Sequence, residues 1–504
     1  MIDGERVTYE YAGPAAAAPA YHTHSPSMDG TLRPIGPSGF SDSMLRVRQL
    51  GPLGLGRHFR GAAGTSASTT RPRVLILGSG WGGAKLARGL DKDKYDAKAR
   101  TLDLEKQYVS CEGIFTGRSF DVSFDYLVVA CGNKTNTFNT PGVAEREGEE
   151  VFFLKHLHHA RQIRNRIIEC IERAANPTLT DAERARLLSF VVVGAGPTSC
   201  EFTSALSDFL RDDVAKWYPE EAKQAKVTLV EAGPRILGPF DAALAEYYRG
   251  HLVARGVEMR TATSVTEVWH GDDREGNHTT HARLSDGGTL PFGAMVWSAG
   301  LALVRFVERL DALPKQELGV SSLDGSQRLL TDSSLRVPGT RGRVFAIGDC
   351  AGVEGAQLPP TASVAEQQAA YLTHCFNQHY CAFDPSTDAD LPPPGPVRPA
   401  ASPVSLAFFL DYLFTPTPAF RYVEPGSLAS LGSRAGVMDG SKSELGLPSV
   451  TGWAAIVAWR GACWTKQLSW SNMLLIPMFW FKSAVLGRDI SRSLIFSIYL
   501  FFSV

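Results

Sequence analysis

Two stretches of this chain repeat one unit: an apolar strand, a glycine turn and a helix. At 73–77 the run RVLIL leads into Gly78-Ser79-Gly80-Trp81-Gly82-Gly83 and then AKLARGL. At 187–206 LLSFVVVGAGPTSCEFTSAL repeats that order. A continuous apolar run is what a strand buried on both faces of a parallel sheet requires. Gly78 supplies a tight turn, Gly80 lets a diphosphate approach the backbone, and Gly83 lets helix and strand pack closely. The diphosphate would sit on free N–H groups at the positive end of the helix. In the second unit Gly194, Gly196, Pro197 and Thr198 hold the corresponding places. Ser199 stands where a third glycine is usual, small enough to fit but with a hydroxyl to satisfy. Two such units predict an α/β chain with two Rossmann-type dinucleotide-binding domains.

The second unit continues into KVTLVEAGPRIL, an apolar strand ending at Glu231. An acid at that tip accepts hydrogen bonds from the adenosine ribose hydroxyls. It also repels the 2′-phosphate of NADPH, at a cost of ~1–4 kcal/mol for one like-charge contact in partly solvated surroundings. NADH is therefore the expected dinucleotide, with Arg235 nearby as the cation able to accept a phosphate. GRVFAIGDCAG at 342–352 reads as a strand ending in Gly348-Asp349, and FDYLVVACG at 124–132 as the strand that closes the first unit.

These pieces, together with LPPTASVAEQQAAYL at 358–372 and the C-terminal WRGACWTKQLSWSNMLLIPMFWF…GRDISR, resemble the type II, or alternative, NADH:quinone oxidoreductases of mitochondria. The resemblance runs from about residue 71 to 492. It implies FAD on Gly78, Gly80, Trp81, Gly82 and Gly83, with Gly348 and Asp349 on the ribityl–phosphate arm. It implies NADH on Gly194, Gly196, Pro197, Thr198 and Glu231, and two electrons passed to ubiquinone without proton pumping. Glu201 then falls near the nicotinamide–flavin contact; read alone, it is equally a carboxylate stabilised by the helix dipole. Residues 358–372 become the helix under the flavin, opening on a quinone pocket at Pro360, Thr361, Ser363 and Gln367. Ser363 replaces the family's usual glutamine, four residues from Gln367 on one helical face. Losing that amide costs about 1 kcal/mol of hydrogen bonding to a quinone carbonyl.

The resemblance further implies a peripheral place on the mitochondrial inner membrane and a homodimer. Five of the nine tryptophans lie in 452–492, interleaved with Arg460, Lys466, Lys482 and Arg488. That pattern suits a segment lying in a membrane interface; a dimer-forming or core-packing helix pair is the other reading. No apolar run reaches the length of a membrane span. Residues 1–43 read as disordered. Residues 44–73 hold six arginines and no acid, the composition of a transit peptide or of a basic linker. A net charge of −1 gives no electrostatic case for nucleic acid. Eight cysteines without CxxC spacing argue against zinc or a disulfide framework, and His156, His158 and His159 read as solvated rather than as metal ligands. The expected domains are a leader (1–70), an FAD-binding part (71–150), an NADH-binding domain (151–325), a second FAD-binding part with the quinone helix (326–445) and a membrane-associating region (446–504).

One expectation fails within the sequence itself. A Rossmann unit needs its helix to feed a second parallel strand, yet Asp96 is followed by AKARTLDLEKQYVSCEG. Its first five residues cannot be a buried strand, and the remainder resembles a later antiparallel hairpin of the family. A block of several dozen residues is missing here, through an omitted exon or a real truncation. A catalytically impaired NADH-binding, membrane-associated protein is therefore the alternative function.

Overall fold

The computed structural model describes residues 46–50, 72–88, 92–96, 98–103, 107–113, 116–272, 278–308, 310, 315–317, 327–380, 390, 419–467 and 470–490. The chain begins with β1 (Arg46–Leu50), β2 (Val74–Leu77), helix α1 (Trp81–Arg88) and β3 (Lys92–Asp96). After one residue it enters an antiparallel sheet of β4 (Lys98–Asp103), β5 (Tyr108–Glu112) and β6 (Ser119–Ser123). The step from Asp96 to Lys98 thus leaves the first sheet directly for the expected hairpin, with no second parallel strand between. β7 (Tyr126–Val129) then lies parallel to β2, and all eight residues of the pair are buried. β8 (Asn133–Thr135) leads out of this unit.

The second unit runs β9 (Val151–Phe153), α2 (Leu157–Ala174), α3 (Asp181–Leu187), β10 (Ser189–Val193), α4 (Pro197–Asp212), α5 (Pro219–Gln224), β11 (Lys226–Val230), α6 (Ala242–Ala254) and β12 (Glu258–Arg260). An antiparallel trio follows: β13 (Val265–Asp272), β14 (His278–Leu284) and β15 (Thr289–Pro291). β16 (Ala294–Trp297) closes a parallel sheet of order β12-β11-β10-β16-β9. Valines fill β10, as a strand covered on both faces demands, and Pro197 at the first helical position starts α4 with φ already set.

The chain returns through β17 (Leu301–Leu303), paired antiparallel with β8, so the two crossings between units form one short ladder. α7 (Arg305–Glu308), β18 (Lys315–Glu317), β19 (Gln327–Thr331), β20 (Val344–Ala346), β21 (Ala351–Val353) and α8 (Ala362–Gln378) complete the first unit. Its sheet has the order β20-β7-β2-β1-β3. β20, β7 and β2 are parallel, but β1 runs antiparallel to both of its neighbours. Residues 46–50, expected in the unstructured leader, therefore take the slot beside β2. β3, which follows α1, thus runs parallel to β2 but one place removed, and β1 pairs with the edge of β2 that a directly adjacent parallel strand would otherwise fill.

The C-terminal part is a sheet of β22 (Ser427–Leu431), β23 (Ala435–Asp439) and β24 (Val450–Gly452), then α9 (Trp453–Thr465) and α10 (Trp470–Leu486). Ala429, Leu431 and Val437 share one core with Phe202, Leu206 and Leu252 of the second unit. Two buried carboxylates fasten this part in place. Asp208 accepts from Arg211 at 2.8 Å, Arg255 at 3.2 Å and the Ser433 N–H at 3.1 Å. Asp213, just beyond α4, accepts the Arg488 N–H at 2.9 Å, and Arg164 donates to the Asp489 carbonyl at 2.6 Å. Among the described residues no helix is long and apolar enough to cross a membrane. α10 nonetheless buries no residue, and Trp470, Leu474, Met478, Phe481 and Val485, spaced three and four apart, are all exposed.

Candidate functional site

The first glycine turn is built for close approach. Gly78 has φ 114°, and a Cβ there would run into the Ala130 carbonyl at the end of β7. A Cβ at Gly83 would strike the Gly78 carbonyl, whereas at Gly80 it would meet no atom within 4 Å. Gly82 lets α1 lie on α8, its absent Cβ standing 3.1 Å from Ile347 Cδ1 and 3.3 Å from the Ala365 carbonyl. Trp81 is half exposed at the first position of α1. The second turn follows the same plan: Gly194 (φ 92°) packs on Ala299, and Gly196 faces open space. Pro197 and Thr198 open α4. The Glu231 carboxylate accepts the Ala195 N–H at 2.5 Å and the Gly233 N–H at 2.6 Å, which stations an acid beside that turn.

At the end of β20, Gly348 (φ 74°) turns the chain and donates its N–H to Gln368 Oε1 at 2.7 Å. Burial pushes the Asp349 carboxyl up, against the pull of Lys155 and Arg328. Arg328 is buried and donates to the Leu358 carbonyl at 3.0 Å. Burial lowers both cations, and Asp349 opposes that lowering. Sequence reasoning named Asp349 but missed Lys155, Arg328 and Gln368. A charged residue in the apolar run QRLLT was the available signal for Arg328, but nothing in two adjacent glutamines tells which one is buried.

On α8, Thr361 caps the helix through the Val364 N–H, and Pro360 precedes it half-buried. Gln367 is held on both sides of its amide by Val423: Nε2 donates to the carbonyl at 2.9 Å, and Oε1 accepts the N–H at 3.0 Å. Ser363 Oγ lies 3.4 Å from Gln367 Nε2. The glutamine expected to reach a quinone thus secures residues 419–426 to α8, while its neighbour Gln368 secures the Gly348 turn. Lys466, at the end of α9, reaches Glu366 of α8 at 3.7 Å.

Glu201 lies in the second turn of α4, tucked under the C-terminal part. Its Oε1 accepts the Ser430 N–H at 2.7 Å, and burial pushes its pKa up to about 7 despite hydrogen bonds from Ser430 and Trp459. The three histidines depart from the solvated reading. They are half-buried with ring centroids 4.1–5.6 Å apart, and His159 Nδ1 accepts the N–H groups of Lys155 and His156 to cap α2. Burial, then neighbouring charge, lowers His156 to about 4 and His159 to about 3, so both are neutral at pH 7. The Ser199 hydroxyl is fully buried and has no partner among the described residues. The seven described cysteines are free thiols.

Residues 93–369 match the pyridine nucleotide-disulphide oxidoreductase family, and residues 425–489 match the NDH2 C-terminal domain. A probable NADH dehydrogenase of Dictyostelium discoideum is 32% identical over 81% of this chain and 78% of its own length. The internal alternative NAD(P)H-ubiquinone oxidoreductase A1, mitochondrial, of Arabidopsis thaliana is 31% identical over 84% of this chain and 86% of its own. That alignment spans 483 positions, more than the part of the chain it covers, so the relative holds residues with no counterpart here. The structure of NDH2 from Plasmodium falciparum in complex with NADH superposes with a TM-score of 0.65 at 20% identity, over 83% of this chain and 99% of that one, a likeness of fold. The chain belongs to the type II NADH:ubiquinone oxidoreductases, the alternative NADH dehydrogenases within the pyridine nucleotide-disulphide oxidoreductase family.

Proposed function

We propose that the chain oxidises NADH at its second glycine turn, with FAD on the first, and reduces ubiquinone beside the first turns of α8 without pumping protons. The observation that carries this reading is the arrangement of the two turns. Each lies at the C-terminal end of parallel strands in its own sheet, and the β8–β17 ladder joins the two units. The first turn fits a dinucleotide diphosphate, because Gly78 and Gly83 permit contacts that side chains would forbid and Gly80 leaves the approach open. FAD would be held by Gly78, Gly80, Trp81, Gly82 and Gly83, with Gly348 and Asp349 on its ribityl arm. Bound there, it supplies two-electron chemistry that no side chain provides. Gly194, Gly196, Pro197 and Thr198 would hold NADH, with Glu231 on the adenosine ribose. Glu201, with a pKa of about 7, can hold or release a proton at neutral pH. Pro360, Thr361 and Ser363 would border the quinone, and Gln367 must let go of Val423 before its amide can reach a carbonyl.

The partner best suited to the exposed stripe of α10 is a lipid surface, where tryptophan with flanking lysine and arginine is stable. The relatives named mitochondrial point to the inner membrane, and a homodimer through the same C-terminal part is the further assembly proposed. The test is purification. A yellow protein that reduces ubiquinone with NADH and sediments with vesicles supports the reading; one that does neither when supplied with FAD refutes it. One feature favours the impaired alternative: an antiparallel strand stands where the family's second parallel strand is expected. A colourless protein that still binds NADH would establish it.

A further inference from the structure

We infer that Phe138 is a substrate-positioning residue whose ring walls the cleft on the side where the nicotinamide–ribose half of NADH lies. The inference rests on the second glycine turn being the NADH site. Phe138 has φ 52° and Asn139 has φ 54°, two consecutive left-handed residues in the crossing between units. Asparagine tolerates that backbone, but a bulky aromatic does so only under strain, and such strain clusters where ligands are held. Asn136 enforces it: Oδ1 accepts the Phe138 N–H at 2.8 Å, and the Asn136 carbonyl accepts the Trp297 indole N–H at 2.9 Å. The ring is 48% exposed, so packing does not offset the strain. A glycine at 138 would make the same turn at lower free energy.

Position supplies the task. The Phe138 ring covers Gly300 (φ 68°), where a Cβ would collide with it. Gly300 follows Ala299, the residue against which Gly194 packs. A continuous line of contact therefore joins the ring to the glycine turn. Sheet order says which half of the dinucleotide it meets. β11, leading to Glu231, and β16, leading to Gly300, flank β10 on opposite sides. Adenosine lies on the Glu231 side, which leaves the nicotinamide half beside Gly300 and Phe138, next to the β8–β17 crossing.

The test titrates the full chain with NADH, read by nucleotide fluorescence, and with ADP-ribose, which lacks nicotinamide, read by competition. Phe138→Gly and Phe138→Ala should weaken NADH about twofold to tenfold, the worth of one aromatic contact. ADP-ribose affinity should stay as in wild type, and Phe138→Tyr should restore NADH binding. Phe138→Gly should also raise the melting temperature, so that stability and coenzyme affinity move in opposite directions. Unchanged NADH affinity in the glycine variant, or equal weakening of ADP-ribose, overturns the role of Phe138 alone. A wild-type protein that binds no NADH overturns the underlying reading of the second turn as well.

Discussion

Replacing Glu201 with glutamine should remove a pH dependence from the stability of this protein. The carboxyl lies between α4 and the C-terminal sheet, accepts the Ser430 N–H at 2.7 Å, and has its pKa pushed to about 7 by burial, against an ordinary value of 4.5. Between those two values the unfolded chain has released a proton that the folded protein keeps. The contribution of Glu201 to stability therefore falls as pH rises through that window and is level above it, by a total of about 3 kcal/mol. Glutamine keeps an acceptor for the Ser430 N–H and carries no charge, so the variant should lack that contribution over the same window. Urea unfolding of both proteins, followed by tryptophan fluorescence at about pH 5 and about pH 8, measures the difference. The variant should gain on wild type by roughly 2–3 kcal/mol between the two conditions, most of that total. An equal gap at both would show that the carboxyl titrates as if in water, and the account of its burial would be wrong.

Three further outcomes follow from the geometry. Asp208→Ala removes the shared acceptor of Arg211, Arg255 and the Ser433 N–H, leaving half-buried Arg255 without its counter-charge; a loss of about 3 kcal/mol and faster proteolysis within 426–452 are expected, and unchanged protection would contradict the anchoring role. Ser199→Ala deletes a buried hydroxyl with no partner among the described residues and should leave stability equal or raise it by about 1 kcal/mol, whereas a clear loss on thermal melting would mean the hydroxyl has a partner. Glu231→Gln removes the charge that opposes a 2′-phosphate and should shift the NADPH-to-NADH preference by about fivefold or more, read as a ratio of kcat/KM values.

Where side-chain identity and backbone demand coincide, the sequence was readable. Gly78, Gly83 and Gly194 occupy places that other residues would fill with a clash, so a glycine in the right context announces the turn. The valine run of β10 and the proline opening α4 are equally direct. The direction of a side chain was not readable. Gln367 and Gln368 are adjacent and chemically alike, yet one binds Val423 and the other Gly348, because α8 meets different partners on its two sides. The histidines of 156–159 look like surface residues until folding stacks them under the cap of α2. The slot beside β2 was least legible of all. What occupies it depends on which distant segment can reach a free strand edge, a matter of competition between chain segments rather than of local pattern.

The fastening of Arg488 and Asp489 has a reach beyond the tail it secures. α4 spans 16 residues, about 24 Å, with the second glycine turn at its head and Asp213 at its foot. Whatever tugs on the C-terminal end of the polypeptide therefore pulls on a stiff rod whose other tip opens at the second glycine turn. A protein cut before Gly487 would lose the footing of that rod, and weaker binding of the NADH proposed to lie at the second turn would be the measurable sign.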